Sequence, residues 1–210
     1  MQYKNAQLVD RYDYILQACA WKNVLDLGCV DHDFLIHSKD NDHPWLHKYI
    51  KNVADSLLWV DFLDEDIELM NKNGFTAVQA NVENMDLWKK FDVIVAGEII
   101  EHLQNTWLFL QSCKKHMKED SILIITTPNP FYYLHQYQIL RFWYPIIHEE
   151  HTCYFDPQTL WYLAELNWFS IEEVYFTKLY KKWHRYVSWF TYLRKYWSQG
   201  FIITLKLKNK

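Results

Sequence analysis

The chain has 210 residues, half of them apolar and 23% charged, which suits one globular domain and excludes a disordered or fibrous class. The formal charge of −4 argues against a nucleic-acid partner, and no apolar run approaches bilayer-spanning length. Cys19, Cys29, Cys113 and Cys153 form no CxxC pair and read as reduced thiols of a cytoplasmic protein. The opening MQYKNAQLVDRYDY has no apolar core of a signal peptide.

In chain order, Asn5–Ala18 reads as a leading amphipathic helix and Asn23–Leu27 (NVLDL) as a buried strand. Trp45–Ala54 is helical, and Leu57–Val60 is a strand ending at Asp61. Asp64–Lys72 is a helix closed by Asn73-Gly74, a left-handed cap. Strands follow at Thr76–Gln79 and Phe91–Ala96, then a helix near Leu103–Met117 and a strand at Ser121–Thr126. After the turn Thr127–Pro130 comes an aromatic stretch, Phe131–Tyr144. Pro157–Leu166 is helical, and strands Phe169–Phe176 and Phe201–Leu207 suit an antiparallel hairpin at a sheet edge. No repeat or linker divides the chain: residues 1–20 lead, 23–130 form a core, and 131–210 complete a single domain.

Two features of composition stand apart. There are 11 Trp, 15 Tyr and 12 Phe against 4 Gly; most aromatics belong in a core, and the excess suits a ligand cleft or a membrane-facing surface. After Glu173 the chain has nine Lys or Arg and no acid, leaving 13 basic against 26 acidic residues before it. Within Lys178–Trp197, Trp183, Tyr186, Phe190, Leu193 and Trp197 fall on one helical face. That segment reads either as a helix packed over the edge strands or as an interfacial helix on anionic lipid. Nucleic acid is the weakest of its readings.

Strand–helix alternation implies a parallel sheet with ligands beyond the strands' carboxyl ends. Asp26-Leu27-Gly28-Cys29 ends the first buried strand in an acid and a glycine that lets backbone approach a nucleoside. Asp61 stands where a carboxylate meets ribose hydroxyls. Each also reads as a generic strand-to-helix turn. With Val78–Glu83, Phe91–Glu98 and Glu101-His102-Leu103 in the same order, the chain resembles the class I S-adenosylmethionine-dependent methyltransferases. The likeness is greatest to the small-molecule branch with the ubiquinone-type O-methyltransferases, and it runs from about Asn23 to Pro130.

The resemblance implies an α/β fold: a Rossmann-like, seven-stranded, mostly parallel sheet with a C-terminal antiparallel strand and helices on both faces. It implies S-adenosyl-L-methionine as cofactor and S-adenosyl-L-homocysteine as product. Asp26 and Gly28 match the cofactor loop, Asp61 the ribose acid, Asn81 and Val82 the adenine site, and Gly97 the backbone beside the methionine moiety. The loop departs from GxGxG, since Val30 takes a glycine position in Gly28-Cys29-Val30-Asp31-His32, and Asn81 replaces an aspartate.

On the acceptor side, His151 and His102 are candidate general bases for a hydroxyl, and Glu98 orients acceptor or cofactor. His102 reads equally as a backbone-bonded helix-entry residue, and Glu98 as a helix cap. His43 and His47 stand at i,i+4 spacing near His32 and His37, yet without HExxH or a cysteine pair they read as a solvated helix face and no metal is expected. The acceptor is expected to be a small molecule or glycan, a sugar or lipid-linked saccharide before a quinone-type phenol, with O-transfer favoured. A non-catalytic scaffold of the same fold is the competing class. Location is expected to be cytoplasmic, with peripheral contact to a membrane's inner face; oligomeric state is open.

Overall fold

A computed structural model describes residues 6–30, 45–178 and 195–208. The segment expected to be one leading helix divides in two. Leu8–Val9 is a short strand, β1, and α1 spans Arg11–Cys19 because the Asp10 side chain accepts from the Tyr12 and Asp13 N–H groups and so sets the helix start. Next come β2 (Asn23–Leu27), α2 (Leu46–Val53), β3 (Ser56–Asp61), α3 (Asp64–Lys72) and β4 (Ala77–Gln79). Three acids in its first turn favour α3's N-terminus, and Gly74 at φ +80° supplies the left-handed residue past its end. β5 (Phe91–Gly97) leads to a 3₁₀ turn at Ile100–His102. Asn105 caps α4 (Thr106–Lys115), which is therefore shorter than the periodicity predicts.

The remaining elements are β6 (Met117–Pro128), α5 (Tyr133–Phe142), α6 (Pro157–Leu166), β7 (Phe169–Thr177), a 3₁₀ turn at Lys195–Trp197, and β8 (Gly200–Leu207). An Asp156–Thr159 capping box with Pro157 in the first turn fixes α6 where the sequence predicts it.

Eight strands, one more than expected, run in the order β1-β7-β8-β6-β5-β2-β3-β4. Only β8 is antiparallel to its neighbours; the extra strand is β1, pairing Leu8 and Val9 with Phe176 and Thr177. The final hairpin is not at the edge. β8 lies between β6 and β7, where both sides of its backbone find partners, and the two-residue β1 takes the edge.

Strands buried on both faces read as continuous apolar runs. Leu25, Leu27, Ile94, Ala96, Leu123 and Ile125 point into one core with Phe109 of α4 and Leu160 of α6. Their alternates Val24, Val93, Val95 and Ile124 meet Ile15 of α1 and Leu46 and Ile50 of α2 on the other face.

The expectation that aromatics fill the core holds for Phe91, Phe109, Phe169, Phe176 and Phe201, but not for tryptophan. Among described residues only Trp45 and Trp59 are buried Trp side chains. Trp21, Trp88, Trp143 and Trp168 are exposed and carry positive φ, left-handed positions that a glycine-poor chain fills with a bulky residue. No helix among the described residues is long and apolar enough to cross a membrane.

Candidate active site

The chain leaves β2 for β3 and β4 on one side, then returns to β5 on the other. This reversal opens a crevice at the carboxyl ends of β2 and β5. The cleft there measures about 480 Å³, within the range of small-molecule sites. Every strand from β2 to β5 delivers residues to it: Gly28 and Val30, then Asp61 to Leu63, Ala80 to Glu83, and Glu98, Ile99 and His102.

Gly28 sits at φ +69°, and a Cβ on it would stand 2.8 Å from Ile99 Cδ1, so backbone alone fits between cleft and β5 loop. Asp61 knits two loops together. Its Oδ2 accepts from the Val30 N–H at 2.9 Å, and its Oδ1 from Phe62 at 2.7 Å and Leu63 at 3.2 Å. A carboxylate offers about four lone-pair sites, so Asp61, which lines the cleft, keeps acceptor capacity beyond these three bonds. Asn81 lines the cleft and its Oδ1 accepts from the Glu83 N–H at 2.9 Å, while Val82 is buried in the lining.

Two expected cofactor residues stand behind the cleft. Asp26 is fully buried, with Oδ2 2.6 Å from His47 Nδ1. His47 therefore anchors the first strand's acid rather than lying on a solvated face, whereas His32, His37 and His43 lie outside the described residues. Gly97 stands back against Thr126, and its neighbour Glu98 lines the cleft instead.

Glu98 carries backbone strain at φ +54°, costing about 1–3 kcal/mol. Its conformation is fixed by its N–H to the Thr126 carbonyl (3.0 Å), the Thr126 hydroxyl to its Oε1 (3.0 Å), and Arg11 of α1 against the same oxygen (3.0 Å). Glu101, one helical turn on, is buried. The Thr127 hydroxyl donates to its Oε2 at 3.0 Å, and Oε1 has no hydrogen-bond partner among the described residues. Burial, with the Glu98 carboxylate nearby, pushes its pKa up to about 8.

His151 comes from a segment about fifty residues later, stitched to the same 3₁₀ turn. The Thr152 N–H and hydroxyl both donate to the Glu101 carbonyl (2.8 and 3.0 Å), and the hydroxyl also reaches the Leu103 carbonyl at 2.6 Å. The rings of His102 and His151 thus meet edge to face, 4.8 Å apart, with His148 5.2 Å from His151. Burial lowers both pKa values first, followed by His148 for His102 and by His102 for His151, so both rings are neutral near pH 7.

The site gathers Gly28, Asp61, Asn81, Val82, Glu98, His102 and, beside them, His151. Arg11, Thr126 and Thr127 lie outside the motifs; Glu101 lies within Glu101-His102-Leu103, but only its burial in the fold marks it out.

The family described as "Methyltransferase domain" matches residues 1–173. The chain is 24% identical over 104 residues to an (S)-tetrahydroprotoberberine N-methyltransferase of Eschscholzia californica, covering 50% of this chain and 29% of that protein. It is 33% identical over 76 residues to a ubiquinone biosynthesis O-methyltransferase of Rickettsia conorii, covering 33% of this chain and 26% of that protein. The chain thus spans less than a third of either relative. A solved S-adenosylmethionine-dependent methyltransferase of Archaeoglobus fulgidus shares the fold, with a TM-score of 0.63 and 20% identity over 92% of this chain and 90% of that one.

Proposed function

We infer, for a chain that belongs to the class I S-adenosylmethionine-dependent methyltransferase family, that the cleft binds S-adenosylmethionine and serves methylation of a hydroxyl on a small molecule or glycan. The observation that carries this reading is the cradle: backbone at Gly28, the Asp61 carboxylate and the Asn81–Val82 edge share one space. Asp61 receives ribose hydroxyls, Phe62 and Val82 flank the adenine ring, and the Asn81 amide meets its polar edge. When bound, S-adenosylmethionine supplies a sulfonium methyl that passes to the acceptor oxygen, the C–S electron pair remaining on sulfur as S-adenosylhomocysteine.

The chain's own task is to exclude water, align the acceptor and draw off its proton. His151 and His102 activate the hydroxyl, and Glu98, held by Arg11 and Thr126, orients it. A cleft lining that includes Glu98, His102, Gln104 and Glu150 supports a polyhydroxyl acceptor, a sugar or lipid-linked saccharide, over a flat quinone-type phenol. Peripheral membrane contact belongs to the same reading, supported by the basic C-terminal segment and by exposed apolar residues on and after α5.

Calorimetric titration with S-adenosylhomocysteine tests the core of this proposal. One site per chain is expected, weakened about 5- to 150-fold by Asp61→Ala, the 1–3 kcal/mol of an unpaired polar contact. A folded wild-type chain that binds no S-adenosylhomocysteine would be a scaffold instead.

A further inference from the structure

We propose that His47 is a specificity-determining positioning residue. It holds the Asp26 carboxylate as a buried negative charge behind the cofactor loop, where that charge favours S-adenosylmethionine over S-adenosylhomocysteine. The two ligands differ by a methyl group and by the positive charge it places on sulfur. The inference rests on the methyltransferase reading and deepens it.

Helix α2 is built to deliver this contact. Leu46 and Ile50 seat it in the core with Val24 and Val95, and the Trp45 indole N–H donates to the Cys29 carbonyl at 3.2 Å. Residues 45–47 thereby grip the cofactor loop from behind. His47, in the first turn of α2, meets Asp26 Oδ2 through Nδ1 at 2.6 Å, with the imidazole 12% exposed and the carboxylate fully buried.

The second observation is what Asp26 lacks. Its Oδ1 is buried without a hydrogen-bond partner, and among the described residues His47 is its one ion-pairing side chain. The acids lining the cleft are better matched: Asp61 accepts three backbone N–H bonds, Glu83 accepts two, and Glu98 faces Arg11. A carboxylate only accepts, so His47 Nδ1 carries the proton, and a neutral ring leaves the pair one full negative charge. Buried, that charge is screened far less than charges in solvent. It reaches the loop itself: burial first, and then Asp26, push up the thiols of Cys29 and of Cys19 on α1.

Asp26 stands two residues before Gly28, about 7 Å along an extended strand from backbone that lines the cleft. At that range, and at the effective dielectric of a protein, a unit charge changes affinity for a cation on the order of 10-fold. Without the His47 donor the buried carboxylate has no hydrogen bond at all. Such a group takes up a proton, and the charge is lost.

Calorimetric titration of the full chain with S-adenosylmethionine, and separately with S-adenosylhomocysteine, tests this. His47→Ala and Asp26→Asn should each weaken S-adenosylmethionine binding on the order of 10-fold and change S-adenosylhomocysteine binding much less. His47→Asn, whose amide keeps a donor near the Nδ1 position, should restore most of the lost preference. A purely structural pair would weaken both ligands alike, so an unchanged ratio of the two affinities in His47→Ala and Asp26→Asn overturns the proposal. If neither variant folds, the wild type decides: nitrogen NMR at neutral pH should show His47 protonated at Nδ1 alone. A doubly protonated ring, which cancels the charge of Asp26, overturns the proposal while leaving the methyltransferase reading standing. A wild-type chain that binds neither ligand overturns that reading and the proposal with it.

Discussion

Gly28 concentrates what one residue contributes to this cleft. Its φ of +69° is a region that an alanine enters at a cost of about 1–2 kcal/mol. The added methyl would also stand 2.8 Å from Ile99 Cδ1 and 3.2 Å from Ile99 Cβ, and Ile99 itself lines the cleft. Gly28→Ala should therefore lower the melting temperature by about 2–8 °C and weaken S-adenosylhomocysteine binding, as Ile99 is pushed into the cofactor's space. Adding Ile99→Val, which removes Cδ1, should recover part of the affinity. An unchanged calorimetric Kd in folded Gly28→Ala would remove Gly28 from the cofactor contact. Val30 shows why departure from a glycine-rich loop is tolerated here: its N–H is committed to Asp61, so its backbone serves the loop rather than the ligand.

Among the elements, the central strands are tied at their entry ends by one acid. Asp92 on β5 accepts from the Asn23 backbone N–H (2.9 Å) and side-chain amide (3.0 Å) of β2, and from Lys118 of β6. The Lys118 ammonium, then the Asn23 N–H, hold its pKa at about 2, below the usual 3.8. A depressed carboxylate stabilises the fold above its unfolded pKa, and that stability is lost as pH falls through the folded value. Asp92→Asn should therefore lower the melting temperature at pH 7, and the gap to wild type should close between about pH 4 and pH 2. A gap independent of pH over that window would mean that the charge of Asp92 does not stabilise the sheet.

For the whole molecule, charge and apolar surface are unevenly spread. Leu140, Trp143, Tyr144 and Ile146, on and after α5, are all more than 60% exposed, and α5 buries none of its residues. Nine cations and no acids follow Glu173. A peripheral membrane face would use both, apolar groups entering the headgroup region and each nearby cation contributing about 1 kcal/mol. Anionic vesicles should then bind the chain, more weakly as salt shortens screening below about 10 Å. Replacing Lys181, Lys182 and Arg185, all outside the described residues, by Gln should abolish binding without changing the melting temperature. A wild-type chain that ignores anionic vesicles at low salt would dismiss the membrane role. The predicted helix over Lys178–Trp197 falls mostly outside the described residues; its last residues form the 3₁₀ turn at Lys195–Trp197, with Trp197 40% exposed.

By itself the sequence determined the order of strands and helices and the residues at strand ends. Apolar periodicity, caps such as Asp156 and the left-handed Gly74 act within a few residues and are legible in one dimension. Gly28, Asp61 and Glu98 stand at carboxyl ends of strands, a local position legible in the sequence, whereas Asn81 follows from the family resemblance; all four line the cleft. Tertiary structure alone decided that Leu8–Val9 joins β7, that β8 slots between β6 and β7, and that Asp26 turns from the cleft to His47. It also decided that Glu101 is buried and meets His151, through hydrogen bonds from Thr152. These outcomes depend on which distant groups satisfy a buried donor or acceptor, and local spacing carries no record of that choice.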